Sequence, residues 1–285
     1  MPEDTKWIKV GSDSGDFSID VPADYGFFSD IDGFTVSKAS ETYRLSNVSF
    51  LNSLSGKTLF SVESYKSDKS VISVLNNQDD RMMKADGEGK SGSFKIQDVK
   101  IKSRNFKNEK YFWTRWYFYY GGYSYVLTAA SRNGETPEMK RFFDSVLFNK
   151  TKFTADQTSA IAFSKMNFTS LEIEESMPEN KPDENKLNPV KTDEKQDSSP
   201  LIIFSKPLPS YTTQARQNNV SGSIRIRVTF LGNGRIGKLT LLDTLPDGLI
   251  RQAVFTALRT KFLPQESNGK PISVVKTVIY SFDIY

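Results

Sequence analysis

The residue types that most often carry chemistry are missing: the 285-residue chain has no histidine and no cysteine. Ser-His-Asp and Cys-His mechanisms are excluded, as are thiolate metal sites and disulfides. Catalysis would have to rest on carboxylates, lysine, tyrosine or a cofactor. Three acidic groups come nearest. "SDSGDFSID" brings Asp13, Asp16 and Asp20 together, but without EF-hand spacing and without a downstream Glu to complete a calcium loop. Asp79-Asp80 and the run Glu172, Glu174, Glu175 lack the spacing of a paired-carboxylate site. Gly87-x-Gly89 has neither the strand-to-helix context nor the Gly-Lys-Ser/Thr of a phosphate loop. The expectation is a protein with no catalytic, metal or cofactor site, whose work is binding.

Two features could bind. The aromatic run Tyr111–Tyr125 alternates, with Tyr111, Trp113, Arg115, Tyr117 and Tyr119 on one face and Phe112, Trp116 and Phe118 on the other. The Phe face is expected in the core. The Tyr/Arg face is expected half-exposed, either stacking sugars or bases or serving as ordinary amphipathic surface. The second feature is charge. Residues 201–285 hold 11 Lys/Arg against 4 Asp/Glu, net +7, within a whole-chain net charge of +4. A basic face can attract nucleic acid, anionic lipid or an acidic protein, or be a solvated sheet face. No nucleic-acid partner is expected.

The elements that must position these residues divide the chain into three. Residues 1–176 read as an α+β domain of unknown ligand: an antiparallel sheet packed by a helix. Strands are expected at "FSIDVP", "NVSFLNS", "KTLFSVESY" and "GSFKIQDVKIKSR", and the aromatic run should fold back at Gly121-Gly122 as a hairpin. "ETPEMKRFFDSVLF" has helix grammar, with Thr136 as N-cap, Pro137 at the first turn, and Met139, Phe142, Phe143 and Val146 on one stripe. Residues 151–176 are ambiguous between a strand and an ordered tail. Residues 177–200 mix Pro, Asn, Lys, Asp and Glu with little to bury, and read as a flexible, disordered linker spanning about 25–30 Å. No run approaches the ~20 apolar residues of a membrane span, and "MPEDTKWIKVGSDSGDF" has no signal-peptide core.

Residues 201–285 form the third part. A short helix is expected at 211–217. "GSIRIRVTFLGNGRIGKLTLLD" then alternates on both sides of Gly232-Asn233-Gly234 and reads as a β-hairpin. An amphipathic helix follows through Leu249, Ala253, Ala257 and Phe262, ended by Pro264, and "ISVVKTVIYSFDIY" is a last strand. The order β-β-α-β predicts a three-stranded antiparallel sheet with a helix across it.

The ordered set Tyr211, Ala215, Gly222, Asn233-Gly234, Ala253, Ala257, Phe262-x-Pro264, Gly269-Lys270-Pro271 and Phe282 resembles the C-terminal domain of TonB, the periplasmic energy transducer of Gram-negative bacteria. The resemblance covers residues 207–284. Thr212 stands where the family has Pro, Ser221 where Glu is common, Thr260 where an aromatic is frequent, and Leu208 at a Gln position that helps contact receptors. The resemblance implies docking by strand addition: the last strand receives an extended peptide on its edge. The implied partner-binding residues are Ser273, Val274, Val275, Lys276, Thr277, Val278, Ile279 and Tyr280 on the edge strand. Leu208, Pro209 and Tyr211 belong to the segment leading in. The implied partner is an outer-membrane receptor or another envelope protein, or a second copy of the chain, in the periplasm. The rival expectation is a non-transducing envelope scaffold or ligand-binding protein that uses the same fold for dimerisation or for binding the cell wall. Residues 15–148 also loosely resemble α+β domains of the PsbP type, which names no activity.

Overall fold

The computed structural model describes residues 5–28, 34–38, 41–66, 71–75, 87–148, 161–162, 172–175 and 198–283. The chain is mostly β, with few helices. Its strands are β1 (Trp7–Gly11), β2 (Phe17–Pro22), β3 (Tyr25–Phe28), β4 (Phe34–Lys38), β5 (Glu41–Ser55), β6 (Thr58–Lys66), β7 (Glu88–Ile96), β8 (Val99–Lys107), β9 (Phe112–Tyr120) and β10 (Tyr123–Ser131). After helix α1 (Pro137–Asp144) come β11 (Leu147–Phe148), β12 (Ile161–Ala162) and β13 (Ile173–Glu175). The C-terminal part holds β14 (Ser198–Ser199), β15 (Ile202–Ser205), α2 (Thr213–Gln217), β16 (Gly222–Phe230), β17 (Ile236–Leu241), α3 (Leu249–Leu258), β18 (Lys261–Leu263), β19 (Gln265–Ser267), β20 (Lys270–Ile272) and β21 (Val274–Phe282).

The centre of the molecule is one large antiparallel sheet in the order β3-β5-β6-β10-β9-β8-β7, with β4 paired to β5. Strands β9 and β10 are joined by a two-residue turn. Gly121 and Gly122 take φ of +57° and +82°, the left-handed conformations a two-residue turn of this hand requires. A Cβ on Gly121 would also lie 1.9 Å from the Asp16 carboxylate. The β7–β8 turn carries no such signal. Gln97 takes φ +53° there without glycine, so the single strand expected over 92–104 is instead two paired strands.

One face of the large sheet is covered by α1 and by the small sheet β11-β2-β1-β12. Thr136 caps α1 through its hydroxyl, which accepts from the Met139 N–H, and Met139, Phe142 and Phe143 are buried beneath. Ring contacts fasten the layer: Phe60 to Phe142 at 5.1 Å, Trp116 to Phe143 at 4.5 Å and Phe17 to Phe118 at 5.4 Å.

The C-terminal part covers the other face. Its sheet has the order β13-β17-β16-β21. The expected three strands are therefore four, because Ile173–Glu175 adds in parallel to β17, with the Leu239 N–H donating to the Glu172 carbonyl. The expected long helix ending at Pro264 is shorter. Helix α3 closes with the Arg259 N–H on the Phe255 and Ala257 carbonyls, and Lys261–Leu263 is a strand paired with β15. The linker expected at 177–200 lies outside the described residues except for its end, where Ser198 and Ser199 pair with β19.

The two parts share one core. Phe50, Tyr65, Tyr117 and Val126 of the large sheet pack in the same cluster as Ile226, Leu249, Ala253, Phe255 and Leu258. Phe50 meets Phe255 edge-on at 5.0 Å. The face of β9 expected half-exposed is accordingly buried at Trp113, Arg115 and Tyr117, and Tyr119 alone of its four inner positions stays open. Phe204 and Leu263 cover Trp113.

At the centre of this contact sits a buried charge cluster. Glu63 of β6 accepts from Lys261 at 2.9 Å and lies 3.5 Å from Arg259. The Tyr65 hydroxyl donates to the same carboxylate, and the Arg259 guanidinium lies over the Tyr65 ring. Lys261 also donates to Asn52 at 3.3 Å. Burial alone would raise the Glu63 carboxyl, but the Lys261 and Arg259 charges outweigh it and hold it down to about 2. Outside this cluster Glu266 takes Lys57 at 2.7 Å and Arg132 at 3.6 Å. Arg235 donates to the Tyr25 carbonyl at 3.0 Å.

Replacing Glu63 by Gln removes the negative charge that faces two buried cations, Arg259 and Lys261. The expected cost is about 3–5 kcal/mol in urea unfolding of the whole chain. Because the folded carboxyl titrates below its ordinary 4.5, its contribution is complete above that pH and is lost as pH falls toward about 2. The wild-type stability curve should fall through this window more steeply than that of Glu63→Gln; parallel curves would refute the assignment.

Candidate partner-binding edge

Among the described residues β21 pairs on one side only, with β16, and ends the C-terminal sheet. The register runs from Gly222 opposite Phe282 to Phe230 opposite Val274 without a bulge. Which backbone groups point outward follows from β16. The Arg225 N–H donates to Asp243 and the Arg225 carbonyl accepts from Leu242. Arg225 therefore spends its backbone on the opposite side, and its pair with Ile279 is the non-hydrogen-bonded kind. By alternation the N–H and C=O groups of Val275, Thr277, Ile279 and Ser281 face the open edge, while those of Val274, Lys276, Val278 and Tyr280 close on β16.

The side chains divide as the period of two predicts. Val275, Thr277, Ile279 and Ser281 lie on the outer face, with Val275 53% and Ile279 52% exposed. Val278, Tyr280 and Phe282 are buried beneath, Val274 is half-buried, and Lys276 is exposed near the strand's start. Burial pushes the Tyr280 hydroxyl up to about 12, against a smaller opposing effect of Thr260. Ser273 precedes the strand, and its hydroxyl accepts from the Gly232 N–H at 3.0 Å. Beside Ile279, Arg225 grips Asp243 at 2.7 and 2.8 Å. This hydrogen bonding holds the Asp243 carboxyl below its usual range.

The segment leading in runs along the same edge. Leu208 is 49% exposed, Pro209 is half-buried, and the Tyr211 hydroxyl donates to the Val220 carbonyl at 2.9 Å while its ring packs on Phe282. Thr212, the departure from the family's proline, caps α2 by accepting from the Ala215 N–H, and donates to the Asp247 carbonyl. The motif residues are mostly core: Ala215, Ala253, Ala257, Phe262 and Phe282 are buried, and Phe262 meets Phe230 at 4.8 Å. Sequence reasoning missed Lys206. Its ammonium donates to the Ile279 carbonyl at 2.8 Å and lies 5.1 Å from the Tyr280 ring centre. A single lysine before Pro207 carries no pattern that could have marked it.

The earlier candidates are arranged otherwise. Asp16 accepts from the Ser12 and Ser14 hydroxyls at 2.6 and 2.7 Å, and Asp20 pairs with Lys9 at 2.8 Å. No group of three or more acidic side chains suited to a metal ion occurs among the described residues, and no described helix is long and apolar enough to cross a membrane. Asp79 and Asp80 lie outside the described residues.

Amide exchange tests the alternation directly. The Val275, Thr277 and Ile279 amides should exchange rapidly, and those of Val278 and Tyr280 should be protected to near the global opening free energy. The reverse parity would place the wrong backbone groups on the edge.

Comparison with known proteins fits this geometry into a wider set. No curated protein matches the chain. The solution structure of cyanobacterial PsbP (CyanoP) from Synechocystis sp. PCC 6803 is similar at 11% identity and a TM-score of 0.34, covering 52% of this chain and 95% of that one. A likeness that loose carries no argument about fold. The specific match is at the other end: residues 207–284, which hold the edge strand, the segment leading into it and the helix beneath, match the family described as the Gram-negative bacterial TonB protein C-terminal.

Proposed function

We propose that this is a periplasmic envelope protein whose TonB-like C-terminal domain docks a partner by β-strand addition along β21. The observation that carries the reading is the outward ladder at Val275, Thr277, Ile279 and Ser281, with the Ile279 carbonyl accepting from Lys206, beside two exposed aliphatics. An added strand would satisfy outward N–H and C=O groups and cover Val275 and Ile279 at once. The partner is an extended segment of an outer-membrane receptor or another envelope protein, within energy-coupled transport. Leu208 and Pro209 would flank its end near Ile279. No step requires a cofactor or a catalytic group.

A second reading draws on a different observation. Residues 207–284 share a core with the large sheet, through Phe255 on Phe50 and through Glu63 on Lys261. A domain carried this firmly suits a scaffold that holds partners, or a second copy, at a set distance from the N-terminal sheet. Sedimentation across a concentration series separates the two: pairing of β21 with itself gives a dimer that exposed-edge variants abolish.

Thr277→Pro removes one outward donor without touching the β16 ladder, so the fold should survive. Isotope-labelled full-length protein titrated with extended receptor peptides should show shifts centred on Val275 to Ile279. Binding should weaken about tenfold or more in Thr277→Pro, since each lost backbone hydrogen bond is worth about 1 kcal/mol and the ring blocks its neighbours. Shifts confined to other strands would overturn the reading.

A further inference from the structure

The outer face of the C-terminal sheet carries a row of side chains that ends at the open edge. Pairing places Thr240 of β17 opposite Arg227 of β16, and Arg227 opposite Thr277 of β21. Residues paired in this way share a face, so Arg227 stands between two threonines, one of them on the edge strand. The two arginines of this face differ in their partners. Arg225, one row along, is drawn toward Asp243 at 2.7 and 2.8 Å. Arg227 is exposed and makes no ion pair or side-chain hydrogen bond among the described residues. The rows on either side end at Val275 and Ile279, which are exposed aliphatics. The way from Arg227 to the edge is therefore one short polar side chain between two apolar ones. The backbone there is open as well: among the described residues no hydrogen bond reaches the outward groups of Val275 or Thr277, whereas the Ile279 carbonyl accepts from Lys206.

The geometry points to Arg227 as a selector of what docks on β21: an extended segment with an acidic side chain opposite Thr277 and aliphatic side chains two residues to either side. This rests on the strand-addition reading. An added strand lies about 10 Å from β16, which is two interstrand steps. Its residue opposite Thr277 points to the same outer face as Arg227. An arginine and a glutamate reaching toward each other span that separation, and the short threonine between them leaves the path clear. The arginine stem crosses between Val275 and Ile279, where its methylenes add apolar contact and its fork meets the carboxylate. The residues two positions away on the added strand cover Val275 and Ile279 themselves. Because Arg227 is exposed, a neutral residue opposite Thr277 leaves it as well hydrated as before docking, so the selection is a preference and not a requirement. The wider field favours the same sign of partner: Lys276 is exposed on the edge strand, and residues 201–285 carry net +7.

The test uses the full chain and two short synthetic strand peptides of alternating valine and threonine. The central valine is replaced by glutamate in one and by glutamine in the other. At low salt the glutamate peptide should bind the wild type about three- to fivefold more tightly, the scale of an exposed charge pair. The difference should fade at about 1 M salt, where exposed charges are screened. The Arg227 Nε–H resonance should move with the glutamate peptide and hold its place with the glutamine peptide. In Arg227→Met, which keeps an unbranched stem and loses the charge, the edge-strand amide shifts should persist and the two peptides should bind alike. Edge-strand shifts with equal affinities in the wild type would overturn the selection and leave strand addition standing. A glutamate preference that survives Arg227→Met would assign it to another cation, such as Lys276, and overturn the role of Arg227 too. Absence of edge-strand shifts with either peptide, in both proteins, would overturn strand addition together with the selection.

Discussion

A carboxylate cannot remain ionised inside a protein unless its partners outweigh the loss of water, and Glu63 meets that condition only when the two halves of the molecule are together. Its own strand supplies one hydroxyl, from Tyr65. The cations come from Arg259 and Lys261, nearly two hundred residues further along the chain. Each half alone would hold an uncompensated charge on a surface that is otherwise apolar: Phe50, Tyr117 and Val126 on one side, Phe255 and Leu258 on the other. An isolated buried charge costs several kcal/mol, so the cluster ties the register of one half to that of the other. Apolar contact supplies attraction without direction. The charge cluster, with Arg235 on Tyr25 and Glu266 on Lys57 at the rim, supplies the direction.

That coupling explains what the sequence could and could not disclose. Local grammar was legible. The Gly121-Gly122 turn, the Thr136 cap and the alternation of β21 are each decided within a few residues, and each is found where it was expected. The last strand's division into Val275, Thr277 and Ile279 outside and Val278 and Tyr280 inside needs only the period of two. Long-range pairing was not legible. Lys261-Phe262-Leu263 continues the apolar stripe of α3, and only its pairing with β15 makes it a strand. The face of β9 bearing Trp113, Arg115 and Tyr117 looked amphipathic because its cover lies far along the chain. Ile173–Glu175 joins the far sheet for the same reason.

The candidate site divides along that line as well. The ordered glycines, alanines and aromatics that mark residues 207–284 are packing residues, so they report a fold and leave the function to the surface. What could act on a partner is backbone: N–H and C=O groups that every strand possesses. Their availability depends on which strand ends the sheet and on the parity of its ladder, and both are tertiary facts. Lys206 was invisible for a related reason, since its meaning lies in a carbonyl seventy-three residues away.

The large sheet offers a contrasting edge in the same molecule. Strand β7 also ends a sheet, and it is exposed along nearly its whole length. It carries Lys90 and Lys95, with Lys95 directly opposite Lys100 on β8, and glycines at positions 89 and 92. Like charges, glycine and short polar side chains give a second strand little to bury and something to repel, which is how sheet edges are kept from pairing. Strand β21 carries one exposed lysine, Lys276, opposite Val228 on β16 and so facing no like charge across the ladder. Its outer face shows Val275 and Ile279 where β7 shows serine and lysine, and it contains no glycine. One of its outward carbonyls, on Ile279, accepts from the Lys206 ammonium.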